Sequence, residues 1–303
     1  KGRETKGGTF DQLEEWFSNR LIDEIQPQDP PSGKLQTIID LYAQGELKQA
    51  LFHTTKMLES FPNSVVLCNI AGAANAGLMQ YDDAINSYKK ALKINPDYVD
   101  AYNNMGAALN EKGDLEAAIA SYKKALKIKP DFAEAYYNMG IALNNKGDLE
   151  SAIDSYKKAL GVRPDYADAY YNMGIALNGM GDLEAAIESY NKALKIKPNY
   201  AEAYCNMGIA LNDRGELKAA IYSYKQALKI KPDYAGAFNN MGMALKDMND
   251  NKAAIDSFQH ALKIQPDYAE AHRHLSRLNF YKEHDRHIVE MQRLHIDPST
   301  SDE

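Results

Sequence analysis

The stretch AYYNMGIALNNKGDLESAIDSYKKALGVRPDY, residues 135–166, decides the fold, because its pattern returns along the chain at a fixed interval. Seven prolines, Pro62, Pro96, Pro130, Pro164, Pro198, Pro232 and Pro266, stand 34 residues apart. A period of this length marks a tandem array of one small supersecondary element. Such an element cannot bury its own apolar face and is stable only when neighbours stack into a continuous core.

Aligned on the prolines, repeats begin at residues 65, 99, 133, 167, 201 and 235; a degenerate repeat covers 31–64, and another begins at 269. Position 4 is aromatic in five successive repeats (Tyr102, Tyr136, Tyr170, Tyr204, Phe238), and position 8 is glycine from Gly72 to Gly242. Position 20 is alanine from Ala50 to Ala254, position 24 is aromatic from Tyr88 to Phe258, and position 27 is alanine from Ala91 to Ala261. The spacings 4, 7, 8, 11 and 17, 20, 21, 24, 27, 28 are both helical, so each repeat predicts two amphipathic helices. Between them lies a Gly-Asp step such as Gly113-Asp114. The glycine is expected to close the first helix in the left-handed conformation and the aspartate to cap the second. Glycine at position 8 and alanine at position 20 predict close backbone approach, with the rings at 4 and 24 filling the remaining space. Asp131 with Glu134, Asn199 with Glu202 and Asp267 with Glu270 predict a capping-box start for the next first helix.

On these residues the chain resembles the tetratricopeptide repeat family. The aromatic, glycine, alanine, aromatic, alanine and proline positions of residues 135–166 match its signature, and the likeness spans about residues 31–281. The resemblance implies an all-α fold: a right-handed superhelical α-solenoid of helix-turn-helix repeats whose first helices line a concave groove. It also implies a scaffold that binds proteins or peptides.

Composition fits that class. The 303 residues are 45% hydrophobic and 25% charged. A formal charge of −7 argues against nucleic acid as the main partner. No apolar run approaches the ~18 residues needed to cross a bilayer, so membrane insertion is not expected. Cys68 and Cys205 lie four repeats apart, beyond disulfide reach, and two unpaired thiols favour a reducing, cytoplasmic setting. The start at Lys1, without an initiator methionine, reads as an excised or processed piece.

The ends depart from the pattern. Residues 1–30 predict a mobile N-terminus followed by a capping helix. There Thr9 and Gln12 start the helix, Phe10, Leu13, Phe17, Leu21 and Ile25 form its apolar side beside Trp16, and Pro27, Pro30 and Pro31 end it. Residues 65–268 hold the six regular repeats, and 269–303 a degenerate repeat with a C-terminal capping helix. In that last repeat His272 replaces the position-4 aromatic and Ser276 the glycine. The passage AEAHRHLSRLNFYKEHDRHIVEMQRL is similar to the junction in bacterial repeat proteins that continue into a sulfotransferase domain. That resemblance implies a substrate-recognition arm of a larger transferase. A third expectation is a structural solenoid that self-associates through its ends.

Function is expected on the side of the first helix turned away from the core, where positions 2, 6, 9 and 13 cluster. Position 6 is asparagine in five consecutive repeats: Asn104, Asn138, Asn172, Asn206 and Asn240. Position 9 offers Ile141, Ile175 and Ile209, and position 5 offers Tyr137 and Tyr171. A carboxamide both donates and accepts, so a row of them suits peptide backbone of any sequence. The row resembles the asparagines lining the repeat superhelix of O-linked N-acetylglucosamine transferase. Five amide bonds at about 1 kcal/mol each fall short of the roughly 8 kcal/mol of micromolar binding, so the tyrosines and isoleucines must add burial. With Asp100, Glu134, Asp168 and Glu202 at position 2, the surface is expected to take an extended, neutral or basic segment. Alanine at Asn138, Asn172 and Asn206 is then expected to weaken binding and leave melting nearly unchanged. No catalytic pattern is present: His272 and His274 point to different helix faces, His284, Asp285 and His287 flank a turn without a further acid or cysteine, and no phosphate-cradling glycine loop occurs. Neither a metal nor a cofactor is expected.

Overall fold

The structure, a computed structural model, describes residues 28–278. The chain divides into two compact halves, Lys1–Pro164 and Asp165–Glu303. The first contains helices α1 (Ser32–Ala43), α2 (Leu47–Ser60), α3 (Val65–Gly77), α4 (Tyr81–Ile94), α5 (Val99–Lys112), α6 (Leu115–Ile128), α7 (Ala133–Lys146) and α8 (Leu149–Val162). The second contains α9 (Ala167–Gly179), α10 (Leu183–Ile196), α11 (Ala201–Asp213), α12 (Leu217–Ile230), α13 (Ala235–Asp247), α14 (Asn251–Ile264) and α15 (Ala269–Leu278). The described residues contain no strand. Within each half every leading helix (odd-numbered) packs on the trailing helix of its own repeat, which packs in turn on the next leading helix. Successive leading helices also touch from α3 to α7 and from α9 to α15. The result is a solenoid of helical hairpins in each half, the all-α class that the 34-residue period predicts. The expected N-terminal capping helix and the C-terminal residues 279–303 lie outside the described residues.

The position-24 ring organises the core. Tyr88, Tyr122 and Tyr156 in the first half and Tyr190, Tyr224 and Phe258 in the second are at most 1% exposed. Each ring lies on the bare backbone of the position-8 glycine in its own repeat. A Cβ on Gly140 would stand 2.5 Å from Tyr156 Cε1, and one on Gly174 would stand 2.6 Å from Tyr190 Cε1. The glycine therefore makes room for a ring, and not, as the sequence suggests, for a second backbone. Alanines at positions 20 and 27 are fully buried throughout, which keeps the two helices close on the other side of that ring.

The turn inside each hairpin follows from its residues. Gly113 has φ +91°, and the next residue, Asp114, donates its N–H to Leu109 O at 2.9 Å, closing α5 in a Schellman-type end. Asp114 then accepts from Ala117 N at 3.3 Å and caps α6; Asp148, Asp182 and Asp250 do the same for α8, α10 and α14. Two of the described hairpins lack the glycine and hold Met79 (φ +60°) and Asn249 (φ +63°) in the left-handed region.

The expected capping box at the start of the leading helices is not formed. Phe132, Tyr166, Tyr200 and Tyr234 occupy the N-cap positions of α7, α9, α11 and α13, and no side chain caps those helices. The ring takes that place because it packs towards the core, which leaves Asp131 and Asn199 exposed one residue earlier. At α3, by contrast, a side chain does cap the helix: Ser64 Oγ accepts from Leu67 N at 3.1 Å and donates to the buried Asp29 carboxylate at 2.5 Å.

Candidate functional site

The predicted site residues lie on one side of the leading helices, but their chemistry differs from a row of waiting amides. In the first half Asn104 Nδ2 donates to Asn69 Oδ1 at 3.2 Å, and Asn138 Nδ2 donates to Asn103 Oδ1 at 3.1 Å. In the second half Asn206 Nδ2 donates to Tyr171 Oη at 3.0 Å, and Asn240 Nδ2 meets Cys205 Sγ at 3.9 Å. All four span 35 residues. The position-6 amide of one repeat is thus bound to the position-5 side chain of the repeat before it. One heptad further along, Asn145 Nδ2 donates to Asn110 Oδ1 at 3.1 Å in the same register.

The amide row is therefore an internal ladder that joins adjacent leading helices. Helical geometry explains why: positions 5 and 12 lie on one flank of the exposed stripe and positions 6 and 13 on the other, so parallel neighbours bring them together. The expectation that alanine at these asparagines leaves melting nearly unchanged gives way to an expected loss of stability, because Asn138 and Asn206 each make a bond that joins two repeats. Asn138 and Tyr137 are moreover buried, at 6% exposure each. Asn104, Asn172, Asn206, Asn240 and Tyr171 are half-buried. The Tyr171 ring lies 4.8 Å from Tyr200 and 6.1 Å from Tyr190. Burial, aided by nearby negative groups, pushes its hydroxyl up to about 12, so it stays protonated as an acceptor for Asn206 with a proton to give.

Position 9 lies between the two flanks. Ile141 in the first half, and Ile175, Ile209 and Met243 in the second, are half-buried, one aliphatic side chain per repeat. Ile175 and Ile209 pack against the buried cluster that holds Tyr190 and Tyr224, Met243 packs against the cluster around Phe258, and the surface they leave exposed is the apolar part of the stripe.

The position-2 acids are not bare. Glu134 pairs with Arg163, Asp168 Oδ1 lies 3.9 Å from Lys197 Nζ, and Glu202 Oε1 lies 3.7 Å from Lys231 Nζ. Each pair joins position 2 to position 31 of the same repeat. The cations also sit over rings: Lys197 is 4.2 Å from the Tyr200 centroid and Lys231 is 5.1 Å from that of Tyr234. Sequence reasoning missed position 31. The signal was the cation directly before the repeat proline, in KIKPDF, GVRPDY, KIKPNY and KIKPDY. Glu134, Asp168 and Glu202 thus each face a cation of their own repeat.

Cys68 and Cys205 are free and buried, and burial raises both thiols, which keeps them protonated and unreactive. His272 Nε2 lies 2.9 Å from Pro266 O, and His274 stacks on Phe258 with centroids 5.3 Å apart. Among the described residues no group of three or more His, Cys, Asp or Glu side chains is placed to hold a metal, and no helix is long and apolar enough to cross a membrane.

Comparison with known proteins agrees with this architecture. A family model described as TPR repeat matches residues 80–113, 107–147, 142–181, 178–212 and 210–249, and a second, described as tetratricopeptide repeat, matches 235–268. No curated protein sequence matches the chain. Among solved structures, YrrB, described as a TPR protein with an unusual peptide-binding site, is 28% identical; the match covers 62% of this chain and 96% of YrrB with a TM-score of 0.54. MamA is 34% identical over 54% of this chain and 96% of its own, with a TM-score of 0.51. The Cut9–Hcn1 hetero-tetramer of the APC/C, 17% identical, shares the fold over 89% of this chain and 52% of that one, with a TM-score of 0.66. With the glycine-ring contact, the left-handed hairpin turns and these matches in agreement, the chain belongs to the tetratricopeptide repeat family.

Proposed function

We propose that this chain is a protein-interaction scaffold that holds an extended peptide segment against its leading helices. The tetratricopeptide architecture supports an interaction role in general. The observation that carries the finer reading is the half-exposed aliphatic row, above all Ile175 and Ile209, set between side chains already fixed by the amide ladder. Asn206 is oriented by Tyr171 before any ligand arrives, so its ordering entropy is spent in folding, and a bound segment gains from that preorganisation. YrrB, a relative described by its peptide-binding site, adds support.

Affinity on this reading comes first from apolar side chains of the segment covering the position-9 row, and second from backbone bonds to the asparagine carbonyls and the Tyr171 hydroxyl. Because the position-2 acids are paired, the preferred segment is neutral and apolar more than basic. A phage-displayed random peptide library, selected on the full chain and counter-selected on an Ile175→Asp, Ile209→Asp variant, tests this. Enrichment of extended apolar sequences on the native chain alone supports the assignment; equal enrichment on both proteins contradicts it.

A further inference from the structure

The ladder register has a continuation at the end of the second half, and there it is broken. The bonds from 104 to 69, 138 to 103, 206 to 171 and 240 to 205 place the next rung between residue 274 on α15 and residue 239 on α13. Residue 274 is a histidine where the other rungs carry asparagine. Its Nδ1 atom is buried and has no hydrogen-bond partner. Asn239, only 1% exposed, has a buried Oδ1 atom that also has none, while its Nδ2 donates to Asn240 Oδ1 at 3.5 Å. Two complementary buried atoms therefore stand in register with no bond made between them, at the one rung of the described ladder that carries an imidazole.

We propose that this rung is an acid-sensitive latch, in which His274 docks the last described helix, α15, onto α13 and α14 as a neutral ring and loosens it when the ring takes up a proton. The neutral ring stacks on Phe258 of α14 at an interplanar angle of 20°, next to a small apolar cluster of Ala254, Phe258, Ala261, Leu262, Ala271 and Leu275. The charged groups facing it are Lys246 from α13 and Arg273, Arg277 and Glu270 from α15 itself; α14 offers the Phe258 ring. Three cations against one carboxylate, on a ring with a buried nitrogen, oppose a positive charge there. Burial first, and then Lys246 and Arg277, hold the imidazole below its ordinary value. The sign follows from linkage: the docked helix prefers the neutral ring, so a detached helix takes up the proton more readily. Docking is strongest above the ordinary imidazole range and weakens as pH falls through that range towards the depressed value of the docked state. Release would uncover the Phe258 and Leu262 side of α14.

The test is amide hydrogen exchange of the full chain from about pH 7.5 to about pH 5, which spans the imidazole range, with intrinsic exchange rates divided out. The expected result is a loss of protection in α15 relative to α10–α12 on acidification. A His274→Asn variant, whose Nδ2 supplies the missing donor to Asn239 Oδ1, is expected to keep α15 protected across the same range. Protection of native α15 that does not change with pH overturns the proposal. So does an equal acid loss in His274→Asn, which would move the effect to His260 or His272. NMR titration of His274 in the native chain gives an independent reading, and a midpoint at or above the ordinary imidazole value also overturns it.

Discussion

Asn206 Nδ2 lies 3.0 Å from Tyr171 Oη, and that bond gives the residue a part in stability. Recurrence of asparagine at position 6 was legible in the sequence; its partner was not, because the partner stands 35 residues back and depends on how neighbouring hairpins register. Asn206→Ala is expected to cost about 1 kcal/mol in urea denaturation, the net worth of one partly buried bond. The position-24 ring sets a sharper limit. Gly174→Ala places a methyl 2.6 Å from Tyr190 Cε1 within a core that has no slack, and roughly 1–3 kcal/mol of overpacking follows, seen as a lower urea midpoint. An unchanged midpoint would mean that the ring does not lie on that backbone.

The hairpin is the scale at which the sequence is most informative, since the Gly-Asp step specifies both the end of one helix and the start of the next. Gly113 with Asp114, Gly147 with Asp148 and Gly181 with Asp182 behave as their chemistry requires. The leading-helix start was misread because an acid near a helix start suggests a cap, whereas a buried ring next to it fixes where the helix begins; Glu134 and Glu202 instead pair with Arg163 and Lys231. Partly exposed pairs of this kind contribute roughly 0–1 kcal/mol each, so their main effect is to offset charge beside the leading helices. Met79 takes the place of the turn glycine between α3 and α4, is 62% exposed and sits at φ +60°. A left-handed non-glycine residue costs about 1–2 kcal/mol, and glycine adds back up to about 1 kcal/mol of unfolded-state entropy. Met79→Gly is therefore expected to raise stability by a few tenths to about 1 kcal/mol, read from the urea midpoint at unchanged m-value.

Over the whole chain, the proline period announces a repeat array and the glycine and aromatic positions announce which kind. The ligand is less legible, because the period singles out the residues that hold repeats together, and the asparagine ladder proved to be one of them. On the proposed reading, the residues left for a partner are the position-9 aliphatics, which pack on the core with one side and stay half-exposed on the other. Isoleucine methyl NMR tests that assignment most directly, with a library-selected peptide titrated into the full chain and the δ1 methyls of Ile141, Ile175 and Ile209 followed beside those of the trailing-helix residues Ile187 and Ile221. The Ile175 and Ile209 methyls are expected to shift and saturate with the peptide while Ile187 and Ile221, buried at 8% exposure each, stay in place. Saturable binding that leaves Ile175 and Ile209 unperturbed would contradict it.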